Sequence, residues 1–168
     1  MSTQPDPALG LLTLYDEALP EVYGYLFTRC GNRMLAEDLT AECFLAAVTA
    51  ARRPDAPPLG IPWLIGVARH KLVDHWRSVE REERGLRLIP GDEPDDPWDT
   101  ALDALRAREV LGRLGAHHRA ALTLRYLDGL RVADVAAHLG RTLHATEALL
   151  VRARIAFRRA YEGEEGTR

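Results

Sequence analysis

The stretch LRVADVAAHLGRTLHATEALLVRARIAFRR, residues 130–159, decides how the rest of the chain is read. Its apolar residues fall into two helical registers. Val132, Val135, Ala136 and Leu139 share one face of a first helix, and Leu143, Thr146, Leu150, Ala153 and Phe157 step by 3, 4, 3 and 4 along a second. Ala136 and Gly140 stand where two crossing helices need a small residue at close approach and then a left-handed turn. Thr142 follows as an N-cap, its hydroxyl able to accept from a free amide of the first turn. The spacing predicts a helix-turn-helix.

On a 100° wheel the buried stripe of the second helix lies opposite a face made of His144, Ala148, Val151, Arg152, Ile155 and Arg159. That face is free to enter a major groove. Between Arg141 and Arg159 there are five arginines and only one acid, Glu147. The arginines suit phosphate contacts that set the register, while residues near the helix N-terminus reach base edges. Arg141, Thr142, His144, Ala145, Glu147, Ala148 and Arg152 are therefore the expected DNA-binding residues. Glu147 would be repelled by phosphate, but its carboxylate can accept from the N4 amino group of cytosine.

Working outward, the net charge of −3 conceals strong segregation. Residues 1–84 carry nine basic and twelve acidic side chains, residues 85–105 one and six, and residues 106–168 twelve and seven. A basic C-terminal third suits a polyanion; an acidic middle is repelled by the same polyanion. In that middle, Pro90, Gly91, Pro94 and Pro97 alternate with Asp92, Glu93, Asp95, Asp96 and Asp99. Helical periodicity is lost there, so the segment is read as a flexible linker.

Upstream, Leu11, Leu12, Tyr15, Leu19, Val22, Tyr23 and Leu26 fall at helical spacing, and Gly31-Asn32 stops the run. A second helix is predicted from about Met34 to Ala51, with Leu35, Leu39, Cys43, Ala46 and Ala50 on its inner face. A proline-rich loop over residues 54–60 ends it, and Pro62 is well placed at the start of a third helix. Leu64, Ala68, Leu72 and Trp76 form that helix's buried stripe. With few β-branched runs and abundant Ala, Leu, Arg and Glu, the chain reads as all-α.

Other chemistries find little support. Cys30 and Cys43 are the only cysteines, without a Cys-x-x-Cys or a His-x-x-x-His to complete a zinc site, so no metal and no cofactor are expected. His70 and His75 are five apart and diverge by about 140° on a helix, which prevents both from sharing one metal. No phosphate-binding glycine motif, His-Glu-x-x-His or nucleophile with its base occurs, which argues against an enzyme. The longest apolar run, residues 61–68, is too short to span a bilayer, and the N-terminus lacks a basic signal head. A soluble, cytoplasmic protein without membrane insertion is expected.

Three blocks then stand in order. They are Ala36-Glu37-Asp38-Leu39-Thr40-Ala41-Glu42-Cys43-Phe44-Leu45, then Pro62-Trp63-Leu64-Ile65-Gly66-Val67-Ala68-Arg69 with Asp74 and Arg77, then the helix-turn-helix. Together they resemble an ECF (extracytoplasmic function) sigma factor of the sigma-70 superfamily, a class that directs RNA polymerase to promoters for transcription initiation. The resemblance implies two small helical domains. Residues 8–84 would be a sigma region 2-like three-to-four-helix bundle for polymerase binding, minus-10 recognition and melting. Residues 85–105 would be an acidic flexible linker, and residues 106–161 a sigma region 4-like helix-turn-helix bundle for minus-35 recognition.

By the same resemblance Glu37, Asp38, Leu39, Glu42 and Phe44 would dock on the β′ clamp helices of core RNA polymerase, an acidic and apolar surface meeting a basic one. Arg52, Arg53, Trp63, Arg69, His70 and Arg77 would meet the opened minus-10 strand, whose bases are held by pockets and stacking and whose backbone is held by cations. For Trp63 and Trp76 core packing is the simpler role; Arg69 and Arg77 are the better strand contacts. The linker would thread the polymerase's RNA-exit path, the C-terminal unit would touch the β-flap, and an anti-sigma factor would hold the protein in check.

Two departures bear on specificity. His70 stands where this family usually has Asn, and Ala145-Thr146-Glu147 replaces a Thr-Val-Lys-like run, so no promoter sequence can be carried over. The alternative is a stand-alone helix-turn-helix regulator of LuxR-like output type, which reads palindromic half-sites as a dimer. Residues 1–84 carry neither the alternating strands and helices nor the ligand-sized fold expected upstream of such a unit. A helical adaptor that binds protein but not nucleic acid is a further alternative, and neutralising Arg141, Arg152 and Arg159 discriminates it.

Overall fold

The structure, a computed structural model, describes residues 7–84 and 104–163. All regular structure among the described residues is helical: α1 (Pro7–Cys30), α2 (Arg33–Ala51), α3 (Ile61–Arg84), α4 (Ala104–Arg113), α5 (Ala116–Leu122), α6 (Val132–Leu139) and α7 (Leu143–Gly163). They form two compact units that divide after Leu72, inside α3. The linker expected over residues 85–105 lies outside the described residues except for Ala104 and Leu105, which open α4.

In the first unit the turn between α1 and α2 is built as the sequence requires. Gly31 takes φ +64°, its N–H donates to the Phe27 carbonyl at 2.9 Å, and Asn32 Oδ1 accepts from the Leu35 amide at 3.0 Å to cap α2. Ala18, Val22 and Leu26 are fully buried on α1, beside Ala36, Leu39, Cys43, Ala47 and Ala50 of α2. The inner face of α2 is thus rotated from the one expected: Ala36 and Ala47 are inside while Leu35 and Ala46 are only half-buried. The small residues let the two helices approach closely, and the larger Leu35 is left at the margin. Leu64, Ala68 and Leu72 of α3 complete this core as predicted.

Cys30 and Cys43 are both buried and free. Burial lifts the Cys43 thiol to about 11, so it packs as a small apolar group.

In the second unit, α5 runs into a π-helical turn, Thr123–Leu127, and Gly129 at φ +66° redirects the chain toward α6. Arg125 fastens this bend by donating from Nη1 to the Leu130 carbonyl at 2.9 Å. The core gathers Val110 of α4, Ala120 and Ala121 of α5, Leu124, Val135 and Leu139 of α6, and Leu149, Leu150, Ala153 and Phe157 of α7. Trp76, on the second half of α3, is also buried, and the Arg119 guanidinium lies 5.4 Å from its ring centre.

One residue of the expected α7 stripe is misplaced. Leu143 is 51% exposed, and Leu149 is buried in its stead. Leu143 is the first residue of α7; the buried stripe begins one turn later at Thr146.

Candidate functional site

The helix-turn-helix is closed by three local devices. Gly140 adopts φ +63° and ψ +37°; the Arg141 N–H donates to the Ala136 carbonyl at 3.0 Å, and the Gly140 N–H to the Ala137 carbonyl at 3.3 Å. This pair of bonds is a Schellman closure, available at this cost only to glycine. Two residues on, Thr142 Oγ1 accepts from the Ala145 amide at 3.1 Å, and the Thr146 hydroxyl donates to the Thr142 carbonyl at 2.9 Å. The cap fixes where α7 starts and therefore which side chains its first turn presents.

Of the expected DNA-binding residues, Thr142, His144, Glu147 and Arg152 are exposed, and Ala145 and Ala148 are half-buried on the same helix. Arg159, two turns beyond Arg152, is exposed as well. Arg154 is employed differently. Arg154 Nη1 lies 3.2 Å from the Tyr126 hydroxyl, tying α7 to the π-helical turn.

Arg141 is also drawn inward: its side chain is 24% exposed, and Nη2 lies 3.6 Å from Oε1 of Glu80 on α3. Burial disfavours its charge, as do Arg84, Arg152 and Arg77; Glu80 opposes them. The pairing with Glu80 was invisible at sequence level, because the two residues are 61 positions apart. Beside it, His117 and His118 have rings 4.0 Å apart. Burial chiefly, then the neighbouring His117, Arg152 and Arg141, lowers His118 to about 4, so it is neutral at pH 7.

In the first unit, Glu37, Asp38 and Glu42 are exposed on α2 and Phe44 is half-buried. Leu39, grouped with them in the sequence reading, is only 6% exposed and belongs to the core. Glu37 pairs with Arg33 at 3.0 Å and Glu42 with Lys71 at 4.0 Å. Phe44 meets Tyr15 edge to face at 4.8 Å.

These residues adjoin a feature the sequence reading missed, an apolar groove of about 770 Å³ between α1 and α2, lined by Leu11, Leu12, Tyr15, Phe44, Leu45 and their neighbours. Leu12 is 64% and Leu45 66% exposed. The signal was present: α1 has more large apolar residues than one buried stripe accommodates.

Arg52 and Arg53 are exposed after α2, and Arg53 grips Asp55 through two contacts of 3.2 Å. On α3, Trp63 and Arg69 are half-buried and His70 exposed, while Arg77 is half-buried with its guanidinium over Gly140. Trp63, His70 and Arg77 are spaced by seven and so lie along one stripe of the helix, at steps of about 10 Å.

Comparison with known proteins places both halves. Residues 14–82 match the family described as Sigma-70 region 2, and residues 104–157 the family described as Sigma-70, region 4. The ECF RNA polymerase sigma factor BldN of Streptomyces coelicolor is 32% identical over 148 residues, covering 83% of this chain and 56% of its own. The ECF RNA polymerase sigma factor SigC of Mycobacterium tuberculosis is 36% identical over 125 residues, covering 71% of this chain and 66% of its own. The chain thus spans between about half and two thirds of the length of these relatives.

Among solved structures, the sigma factor RpoE from Bartonella quintana, co-crystallised with the anti-sigma factor NepR, shares the fold with a TM-score of 0.54 at 19% identity. That match covers 91% of this chain and 97% of the other. A region 2 followed in order by a region 4, the latter carrying the capped helix-turn-helix described above, means that the chain belongs to the ECF branch of the sigma-70 family.

Proposed function

We propose that this protein is an initiation factor that docks on core RNA polymerase in the cytoplasm, delivers it to specific promoters and helps open them. Residues 8–84 serve polymerase binding and the minus-10 element, residues 85–105 are the connecting linker, and residues 106–161 read the minus-35 element. The protein supplies recognition and leaves bond-making to the polymerase. The observation that carries this reading is the capped α7, whose exposed Thr142, His144, Glu147, Arg152 and Arg159 form a polar and basic face.

Each surface has a physical task. On α7, Arg152 and Arg159 meet phosphates and His144, Ala145, Glu147 and Ala148 face base edges. The exposed acids of α2 and the apolar groove beside them receive the polymerase clamp, and an anti-sigma factor competes for the same surface. Arg52, Arg53, Trp63, Arg69, His70 and Arg77 hold the melted strand by charge and stacking. A regulator acting alone would give no purpose to the acidic and apolar surface of α1 and α2.

Dependence on polymerase is the test. Alone at physiological salt the protein should bind promoter DNA weakly, and core polymerase should convert this to sequence-selective binding. Replacing Arg141, Arg152 and Arg159 together by Ala should weaken that binding across all sequences. Equal selective binding with and without core polymerase would favour a self-sufficient regulator instead.

A further inference from the structure

Within the second unit, a cleft of about 260 Å³ is walled by Arg77, Arg81 and Arg84 of α3 and by Arg141 of the helix-turn-helix turn, with Glu80 and His117 between them. Four guanidiniums against one carboxylate leave an excess of three positive charges around one small space. Glu80 is already engaged twice through the same oxygen, with Arg84 Nε at 2.5 Å and Arg141 Nη2 at 3.6 Å. Among the described residues no carboxylate pairs with Arg77 or Arg81.

The guanidinium of Arg77 is held over Gly140. A Cβ placed there would lie 2.9 Å from its Nη2 and 3.4 Å from its Cζ. Arg77 and Arg141 therefore reach the cleft from opposite walls, and the glycine gives Arg77 its room. Converging like charges with a single shared counter-ion are unfavourable until an anion joins them.

We infer that this cleft binds a small polyvalent phosphate of diphosphate size, either inorganic pyrophosphate or the diphosphate end of a nucleotide. Guanidinium forks match the paired oxygens of phosphate, and a charge near −3 balances the lining. The volume lies below the roughly 300–1,000 Å³ of sites that engulf drug-sized ligands, which favours the phosphate moiety over a whole buried nucleotide. Occupancy would hold Arg77 and Arg141 in the cleft. Since the proposed function assigns both to promoter DNA, ligand and promoter would compete; the binding itself does not depend on that reading.

The test is calorimetric titration of the full chain with sodium pyrophosphate, and separately with adenosine diphosphate, at constant ionic strength set by sodium chloride. The expected result is one site per chain, with the melting midpoint raised by roughly 5 °C at a hundredfold excess over the dissociation constant. The double variant Arg81→Ala/Arg84→Ala, outside the proposed promoter contacts, should weaken binding about tenfold. Glu80→Gln, which removes the competing carboxylate, should tighten it about threefold.

Tighter binding of pyrophosphate identifies the inorganic ion, and tighter binding of the nucleotide identifies that source. Phosphorus-31 line broadening of pyrophosphate by the unaltered protein gives a readout that requires no variant to fold. No saturable binding of either compound would overturn the proposal. So would binding that sodium sulfate reproduces at equal ionic strength, or that both sets of variants leave unchanged.

Discussion

Nη2 of Arg141 lies 3.6 Å from Oε1 of Glu80, so the arginine that follows Gly140 in the helix-turn-helix is tied to a carboxylate of α3. A charge-assisted contact of this kind, with Glu80 only 12% exposed, competes directly with phosphate for the same guanidinium. Glu80→Gln should therefore raise the stand-alone affinity for promoter DNA about threefold in a mobility-shift titration at fixed salt. The effect should vanish in an Arg141→Ala background. An unchanged affinity for both variants would mean that Arg141 takes no part in DNA contact.

Gly140 and Gly129 are both left-handed, at φ +63° and +66°, but only Gly140 has a side chain within Cβ reach. Alanine at either position should cost about 1 kcal/mol for the backbone conformation. Gly140→Ala should cost roughly a few tenths of a kcal/mol more, because only the far end of the flexible Arg77 side chain must move. Chemical denaturation of Gly129→Ala, Gly140→Ala and Gly140→Ala/Arg77→Ala measures this, and the excess should disappear in the double variant.

Thr142 serves the fold through its Oγ1, and its side chain is exposed, which is what the proposed recognition role requires. Thr142→Ala should destabilise the protein by about 1 kcal/mol, whereas Thr142→Asp keeps an acceptor for the Ala145 amide and should fold as well as the natural chain. On DNA the order reverses. Thr142→Asp places a carboxylate against phosphate and should lower affinity at least about tenfold. Melting curves and anisotropy titrations on the same two variants separate the roles.

His118 is held neutral in the folded chain, its ionisation lowered from 6.5 to about 4, mainly by burial. Between those values the unfolded chain binds the extra proton and the folded chain does not. This site's contribution to stability is thus complete above about pH 6.5 and is lost as the pH falls toward 4, with a limiting slope of about 1.4 kcal/mol per pH unit. His118→Gln should flatten the dependence of the melting midpoint on pH over that window. Parallel curves for the two proteins would contradict the placement of His118.

The three helices of residues 8–84 and the helix-turn-helix were legible because their apolar registers, glycines and caps are local signals. Asn32, Gly31, Gly140 and Thr142 each act within five residues of their own position. Two of the expected stripes differ from those observed. The inner face of α2 uses Ala36 and Ala47 where Leu35 and Ala46 were expected, since close helix packing selects small residues over large ones. Leu143, the first residue of α7, proved exposed.

What the sequence could not disclose were contacts between distant segments. The Glu80 link to Arg141 and the stacking of Arg119 on Trp76 join residues tens of positions apart. The apolar groove between α1 and α2 was half legible, as a surplus of leucines and tyrosines on α1. The expected DNA residues of the helix-turn-helix separate in the structure into an outward group around His144 and Arg152 on α7, and Arg141 in the turn, which points inward.

Reconstituted transcription measures promoter selection by this protein directly. Bacterial core RNA polymerase is combined with a promoter library, with and without this protein, and the start sites of the transcripts are mapped. Initiation is expected from a discrete subset of templates only when the protein is present, with that subset lost on the combined replacement of Arg141, Arg152 and Arg159 by Ala. Transcripts whose number and start sites are the same with and without the protein would contradict it.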